Sequence, residues 1–234
     1  MTEDDLWDQL EIDLKSRRDK DTPIKEEQVR WLFQQTRGWA RKKGLDLGFG
    51  CGYSAIAMAA NGVVVKCICF DDPTNQRRMQ AEKLYEDIIG NAADILNGST
   101  DIELPILVNS GQSEQVHIIF IDAGHRFDDV FIDVHYAKKL LVTGGLLVLD
   151  DTQFGAMRSV GNWINTNLAH IWEWGGKLQN TVYWKRTDAP ADDSSRGPEH
   201  RTADYDKPGR TFLITTENHG RFDIDPKLQP PDNR

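Results

Sequence analysis

Cysteine is scarce in this chain, three residues in 234. No disulfide framework can be built from them. Cys67 and Cys69 stand two apart on a predicted strand, a spacing unsuited to bridging, and Cys51 lies in a glycine-rich turn. All three are expected to be reduced thiols of a cytoplasmic protein. Positive charge is also short. The 28 Lys and Arg against 37 Asp and Glu leave a formal net charge of −9, the reverse of what a general nucleic-acid binder carries. Apolar runs stay well below the roughly 18 residues that a membrane-spanning helix needs. The opening stretch MTEDDLWDQLEIDLKS is acidic and has no apolar secretory core. No internal repeat is present.

What is there is an alternation of strand-like and helix-like segments. The length suits one α/β domain with decorations. The expected divisions are a polar extension over 1–24, a main domain over 25–186, a mobile loop over 187–209 rich in Asp, Pro, Ser and Gly, and a terminal strand and tail over 210–234. Residues 25–43 read as a helix. GLDLGF (44–49), VVVKCICF (63–70), PILVN (105–109), VHIIFID (116–122) and LLVLDD (146–151) read as five strands. Helical patterns fill residues 53–60, 74–96, 126–141 and 156–168. IWEWGG and NTVYWKR predict an antiparallel extension, and TFLIT (211–215) a last strand. This order predicts a Rossmann-like, mostly parallel sheet with helices on both faces. Right-handed crossovers then gather every strand's C-terminal tip on one rim, where ligands bind.

The first tip is Asp46-Leu47-Gly48-Phe49-Gly50-Cys51-Gly52. Glycines there allow a tight turn and close approach of backbone to a ligand. The second tip carries Asp71 and Asp72, either of which can accept hydrogen bonds from both hydroxyls of a ribose; Asp71, the first polar residue after the strand, is preferred. A second register, Gly50-Cys51-Gly52-Tyr53-Ser54-Ala55, fits the G-x-G-x-x-A pattern of dinucleotide-dependent oxidoreductases. The loop alone does not choose between the two.

The fourth tip ends in Asp122 with His125 three residues on, and the fifth ends in Asp150-Asp151. Three carboxylates on one rim repel unless a cation, proton or donor compensates. Oxygen donors of this kind suit Mg²⁺ or Ca²⁺. An imidazole at His125 can take a proton from a substrate hydroxyl. Asp128, Asp129 and Asp133 are expected on an exposed helix face, and Trp172 and Trp174 in the core.

The glycine segment resembles the D/E-x-G-x-G-x-G signature of class I S-adenosylmethionine (SAM) dependent methyltransferases. The stretch IDAGHRFDDVFIDVHYAKKLLVTGGLLVLDD resembles a pattern of small-molecule O-methyltransferases, including sugar O-methyltransferases and, more distantly, catechol and caffeoyl-CoA enzymes. By this resemblance Asp46, Gly48, Phe49, Gly50, Gly52, Tyr53 and Ser54 form the SAM loop. Asp71 or Asp72 binds the ribose, Ser110 and Gly111 lie near the adenine, and Asp122 borders the cofactor. Asp122, Asp150 and Asp151 hold Mg²⁺, with Asp122 and His125 catalytic. The implied partner is a small hydroxylated molecule, a sugar or catechol-like diol, with neither nucleic acid nor membrane; a homo-oligomer is compatible with the sequence. A non-catalytic module of the same fold is the third reading; it would leave Asp122, Asp150 and Asp151 pointing at solvent.

Overall fold

The computed structural model describes residues 5, 7, 8, 10–12, 24–113 and 115–187. The predicted strand at 211–215, the tail and nearly all of the loop predicted over 187–209 lie outside the described residues. In chain order the elements are α1 (Glu26–Gln35), β1 (Lys43–Leu47), α2 (Tyr53–Ala59), β2 (Val64–Cys69), α3 (Gln76–Ile89), β3 (Asp94–Asn97) and α4 (Thr100–Leu107). There follow β4 (Val116–Ile121), α5 (Phe127–Leu140), β5 (Leu141–Leu149), α6 (Gly155–Asn167), β6 (Trp172–Leu178) and β7 (Thr181–Arg186).

The strands form one seven-stranded sheet in the order β3-β2-β1-β4-β5-β7-β6. The first five run parallel, and β7 is antiparallel to both β5 and β6. Chain direction along the sheet reverses at β1, so the crevice between the β1 and β4 tips is the natural ligand position.

Strand side chains alternate between two cores, because successive Cβ atoms point to opposite faces. Ile118, Phe120, Leu146 and Val148 join the core beneath α1, α2 and α3. Leu45, Leu47, Ile119, Ile121, Leu147 and Leu149 join the core beneath α4, α5 and α6. Both faces are apolar, as a parallel sheet covered on two sides requires.

Three expectations need correction. The third strand is not PILVN. Gly90, at φ 85, ends α3, which frees residues 94–97 to pair with β2. PILVN instead ends α4 and opens the π-helical turn Val108–Gln112. Ser99 at the helix N-cap, with Asp101 and Glu103 in the first turn, is the start signal that decides for helix. The helix predicted over 25–43 stops at Gln35, where the Thr36 hydroxyl turns back onto the Leu32 carbonyl. The polar extension also contributes to the core. Trp7 and Leu10 are buried, with Trp7 against Phe33 at 5.5 Å between ring centroids and under the Arg30 guanidinium.

Candidate active site

Gly48 sets the geometry of the rim. Its φ is 105, and a Cβ built there would lie 2.3 Å from the backbone oxygen of Asp122. The β1 tip therefore touches the β4 tip backbone to backbone, which only glycine permits. Gly50 and Gly52 also have positive φ, and Gly52 is the N-cap of α2.

Asp46 lies fully buried beneath this loop and accepts a hydrogen bond from the Ser54 hydroxyl at 2.9 Å. Burial pushes its carboxyl up to about 7, against the Ser54 hydroxyl and the Ala55 backbone, which pull it down. Phe49 and Tyr53 are buried too, Phe49 packing near Tyr85. Their side chains therefore support the loop from within the core.

A cavity of about 440 Å³ opens over the loop. Of the residues predicted from the sequence, Gly48, Gly50, Asp71, Asp122, His125 and Asp151 line it. Asp71 and Asp72 are separated by their surroundings. Asp71 faces the cavity, whereas the Asp72 carboxylate accepts from the backbone N–H and the hydroxyl of Thr74, both at 2.7 Å. Ser110 and Gly111 are absent from the cavity wall. They lie in the π-helical turn Val108–Gln112, while Gly98, Ser99, Thr100 and Asp101, at and after the β3 tip, line the cavity.

Sequence reasoning also missed Phe70, Arg77 and Asp129 on the cavity wall. Arg77 donates to the Cys51 sulfur at 3.2 and 3.4 Å. Asp129 sits in the first turn of α5, tight against Gly124. Asp133, one turn further along, is buried and not exposed as expected, and neither of its carboxylate oxygens has a hydrogen-bond partner. Burial raises it to about 7. The signal available was the helical spacing from Asp129 together with Val130 and Val134, which puts position 133 on the inward face.

On the acceptor side of the rim the His125 Nε2 lies 2.7 Å from Asp151 Oδ2 and 3.9 Å from Asp122 Oδ1. The two carboxylates are 14% exposed and the imidazole 40%. Burial, followed by the neighbouring carboxylates of Asp150, Asp151 and Asp46, drives the Asp122 carboxyl well above the usual range. Asp151 adopts φ 55, the left-handed region in which Asp is among the few tolerated side chains. Its second oxygen accepts from the Gln153 amide at 2.6 Å.

Asp150 does not join this group. It is 1% exposed and accepts at Oδ1 from Gln28 Nε2 of α1 and from Thr181 Oγ1 of β7, each at 2.6 Å. The donor atoms of Asp122, His125 and Asp151 lie within 4.8 Å of one another. The physical reason is strand alternation. Asp150 continues the face of Leu146 and Val148, towards α1, and the left-handed turn at Asp151 brings the next side chain to the rim. Two carboxylate oxygens and an imidazole nitrogen at this spacing make a donor set that fits a divalent cation. The partial burial of Asp122 and Asp151 also differs from the solvent-facing carboxylates expected of a non-catalytic module.

Residues 45–152 match a family described as a methyltransferase domain. No curated protein matches the sequence. Among solved structures, one designated a caffeoyl-CoA O-methyltransferase from Staphylococcus aureus aligns at TM-score 0.59 and 16% identity, covering 76% of this chain and 91% of that one. An O-methyltransferase from Bacillus cereus in complex with S-adenosylhomocysteine (SAH) aligns at 0.56 and 14%, covering 78% and 90%. A SAH-bound methyltransferase from Podospora anserina aligns at 0.54 and 16%, covering 80% and 88%. At these identities the likeness is one of fold. The matched family spans the glycine loop, the second acidic tip and both acidic tips of the acceptor side, and it decides against the dinucleotide register of the same glycines. Residues 45–152 are thus similar to a methyltransferase domain, carried on a fold that solved methyltransferases share.

Proposed function

We propose that the chain transfers the SAM methyl group to a hydroxyl of a small molecule, a sugar or catechol-like diol, with His125 receiving the proton. The observation that carries this reading is the convergence of Asp122, His125 and Asp151 on the same cavity as Gly48, Gly50 and Asp71. SAM would lie over the glycine loop with its ribose on Asp71. Five carboxylates line this cavity, Asp71, Asp101, Asp122, Asp129 and Asp151, against the single guanidinium of Arg77. That field favours a sulfonium cation over the neutral sulfur left after transfer.

Asp151 orients the imidazole. With the neutral ring donating its Nε2–H to Asp151, the lone pair at Nδ1 is the basic site, and the carboxylate stabilises the imidazolium that forms. Asp122 and Asp151 would also hold a divalent cation, Mg²⁺ being the expectation from the sequence. Such a cation, when bound, lowers the pKa of a coordinated hydroxyl. Phe154, edge-on to His125 at 4.9 Å, and the exposed Phe70 offer apolar surface to the body of an acceptor. Three free cysteines agree with a cytoplasmic setting, and among the described residues no helix is long and apolar enough to cross a membrane.

The test is direct. His125→Ala should bind SAM with wild-type affinity by calorimetry and lose about 100-fold or more in turnover on a responsive diol. Undiminished turnover would remove His125 from the chemistry.

A further inference from the structure

We infer that Thr152 is a positioning residue: by clasping the turn between β6 and β7 it holds the Asp151 main chain in the left-handed conformation that presents the Asp151 carboxylate to His125. The inference rests on the reading of Asp122, His125 and Asp151 as the reacting group.

Asp151 is suspended between two anchored neighbours. On one side the Asp150 N–H donates to the Ile121 carbonyl of β4 at 3.0 Å. On the other, the buried Thr152 donates twice to a single acceptor, the Asn180 carbonyl, from its N–H at 2.8 Å and from its hydroxyl at 2.5 Å. The Asp151 carbonyl accepts from the Phe154 N–H at 2.9 Å, which closes a tight turn. Between these bonds Asp151 takes φ 55, and its carboxylate lies 2.7 Å from His125 Nε2. Such a conformation persists only where its surroundings over-determine it.

The acceptor side of the clasp is strained in the same sense. Gln179 and Asn180 are the two residues that join β6 to β7. Gln179 has φ 51, in a two-residue hairpin loop of the kind that places glycine or asparagine at positive φ. Of the three described non-glycine residues with positive φ, two therefore stand immediately before the two partners of the clasp. The Gln179 side chain donates to Glu27, which ties the hairpin to α1. Two left-handed turns, one in each loop, are locked against each other through Thr152. Any residue but proline at 152 would keep the N–H bond. The hydroxyl is the part of the clasp that the side chain supplies, and it fixes the loop that carries the partner of the imidazole.

The test compares Thr152→Ala, Thr152→Val and Thr152→Ser in the full chain, with Thr36→Val as control. Thr36 is another buried hydroxyl that donates to backbone carbonyls, those of Leu32 and Phe33, but it lies beside Asn61 and outside the cavity wall. The readouts are the ¹⁵N shifts of the His125 ring at fixed pH without metal, Mn²⁺ affinity by electron paramagnetic resonance, and Tm. Thr152→Ala and Thr152→Val should each move the ring shifts and lose about tenfold in Mn²⁺ affinity. Thr152→Ser keeps the donor, so it should leave the ring shifts in place and hold Mn²⁺ affinity within about threefold of wild type. Thr36→Val should lower Tm and leave the His125 signals unmoved. Should Thr152→Val fail to fold, with its methyl forced against the Asn180 carbonyl, Thr152→Ala decides alone. Ring shifts at wild-type values in Thr152→Ala would overturn the inference. So would a Thr152→Ser protein as impaired as Thr152→Ala, or a Thr36→Val protein whose His125 signals move as far. Absence of Mn²⁺ binding in the wild type would refute the metal part of the proposed function, and the ring shifts would still decide the role of Thr152.

Discussion

Substituting Gly48 by alanine tests the contact on which the rim is built. The added Cβ would meet the Asp122 backbone oxygen at 2.3 Å and its carbonyl carbon at 2.6 Å, at φ 105. Neither atom belongs to a side chain that can rotate away, so β1 and β4 must move apart at their tips. Overpacking of this kind costs about 1–3 kcal/mol, and a side chain at positive φ adds about 1–2 kcal/mol. The sum, about 2–5 kcal/mol, corresponds to a fall in Tm of about 5–15 °C for a domain of this size. The shift also displaces Asp122 relative to the glycine loop, so SAM affinity should fall with stability. Gly90→Ala supplies the control. Gly90 has φ 85 with nothing within 4 Å of a built Cβ, so only the conformational cost of about 1 kcal/mol remains, and SAM binding should be unchanged. Thermal unfolding and calorimetric titration with SAM measure both effects. A Gly48→Ala protein as stable as Gly90→Ala and binding SAM like the wild type would refute the packing argument.

Further outcomes follow from neighbouring residues. Asp71→Asn should weaken SAM binding by about 1.5–3 kcal/mol, the worth of hydrogen bonds to a charged group, while Asp72→Asn, which loses only its bonds to Thr74, should leave the dissociation constant close to wild type; equal losses would show that the two acids had been assigned wrongly. The buried Asp133, raised to about 7, binds a proton in the folded state that the unfolded chain has released above about 4. Its contribution is therefore full below pH 4 and is lost as pH rises to about 7. Asp133→Asn removes this dependence, so denaturant titrations should show the variant gaining on wild type from pH 5 to pH 8, by up to about 2.5 kcal/mol; a constant difference would contradict it. Leu10→Ala should destabilise by about 2–4 kcal/mol in chemical denaturation, since Leu10 is fully buried in the first core; an effect under about 0.5 kcal/mol would return the N-terminal segment to a peripheral role.

The strands at the centre of the sheet could be read from sequence because they are continuous apolar runs between glycine and aspartate punctuation, as in Val116–Ile121. The glycine loop was legible for the same reason. The third strand was not, because Asp94–Asn97 is four residues long and lies at the sheet edge, while PILVN has strand-like composition in a helical setting. Trp7 and Leu10 were hidden among acids, where two buried side chains leave little periodicity. The Asp150-Asp151 pair marked the right place and concealed its asymmetry. Asp151 lines the cavity from a left-handed turn, while the Asp150 carboxylate accepts from Gln28 and Thr181, 122 and 31 residues away in the chain. Gln28 itself carried no signal, since an isolated glutamine on a charged helix looks like any solvated position.

The account stands most directly on where the SAM methyl goes. Radiolabelled SAM incubated with the wild type and a panel of catechols and sugar diols should place label on a hydroxyl oxygen. The account predicts that His125→Ala and Asp122→Asn abolish this transfer while His125→Ala still binds SAM. Label reaching the same acceptor at wild-type rates in both variants would contradict it.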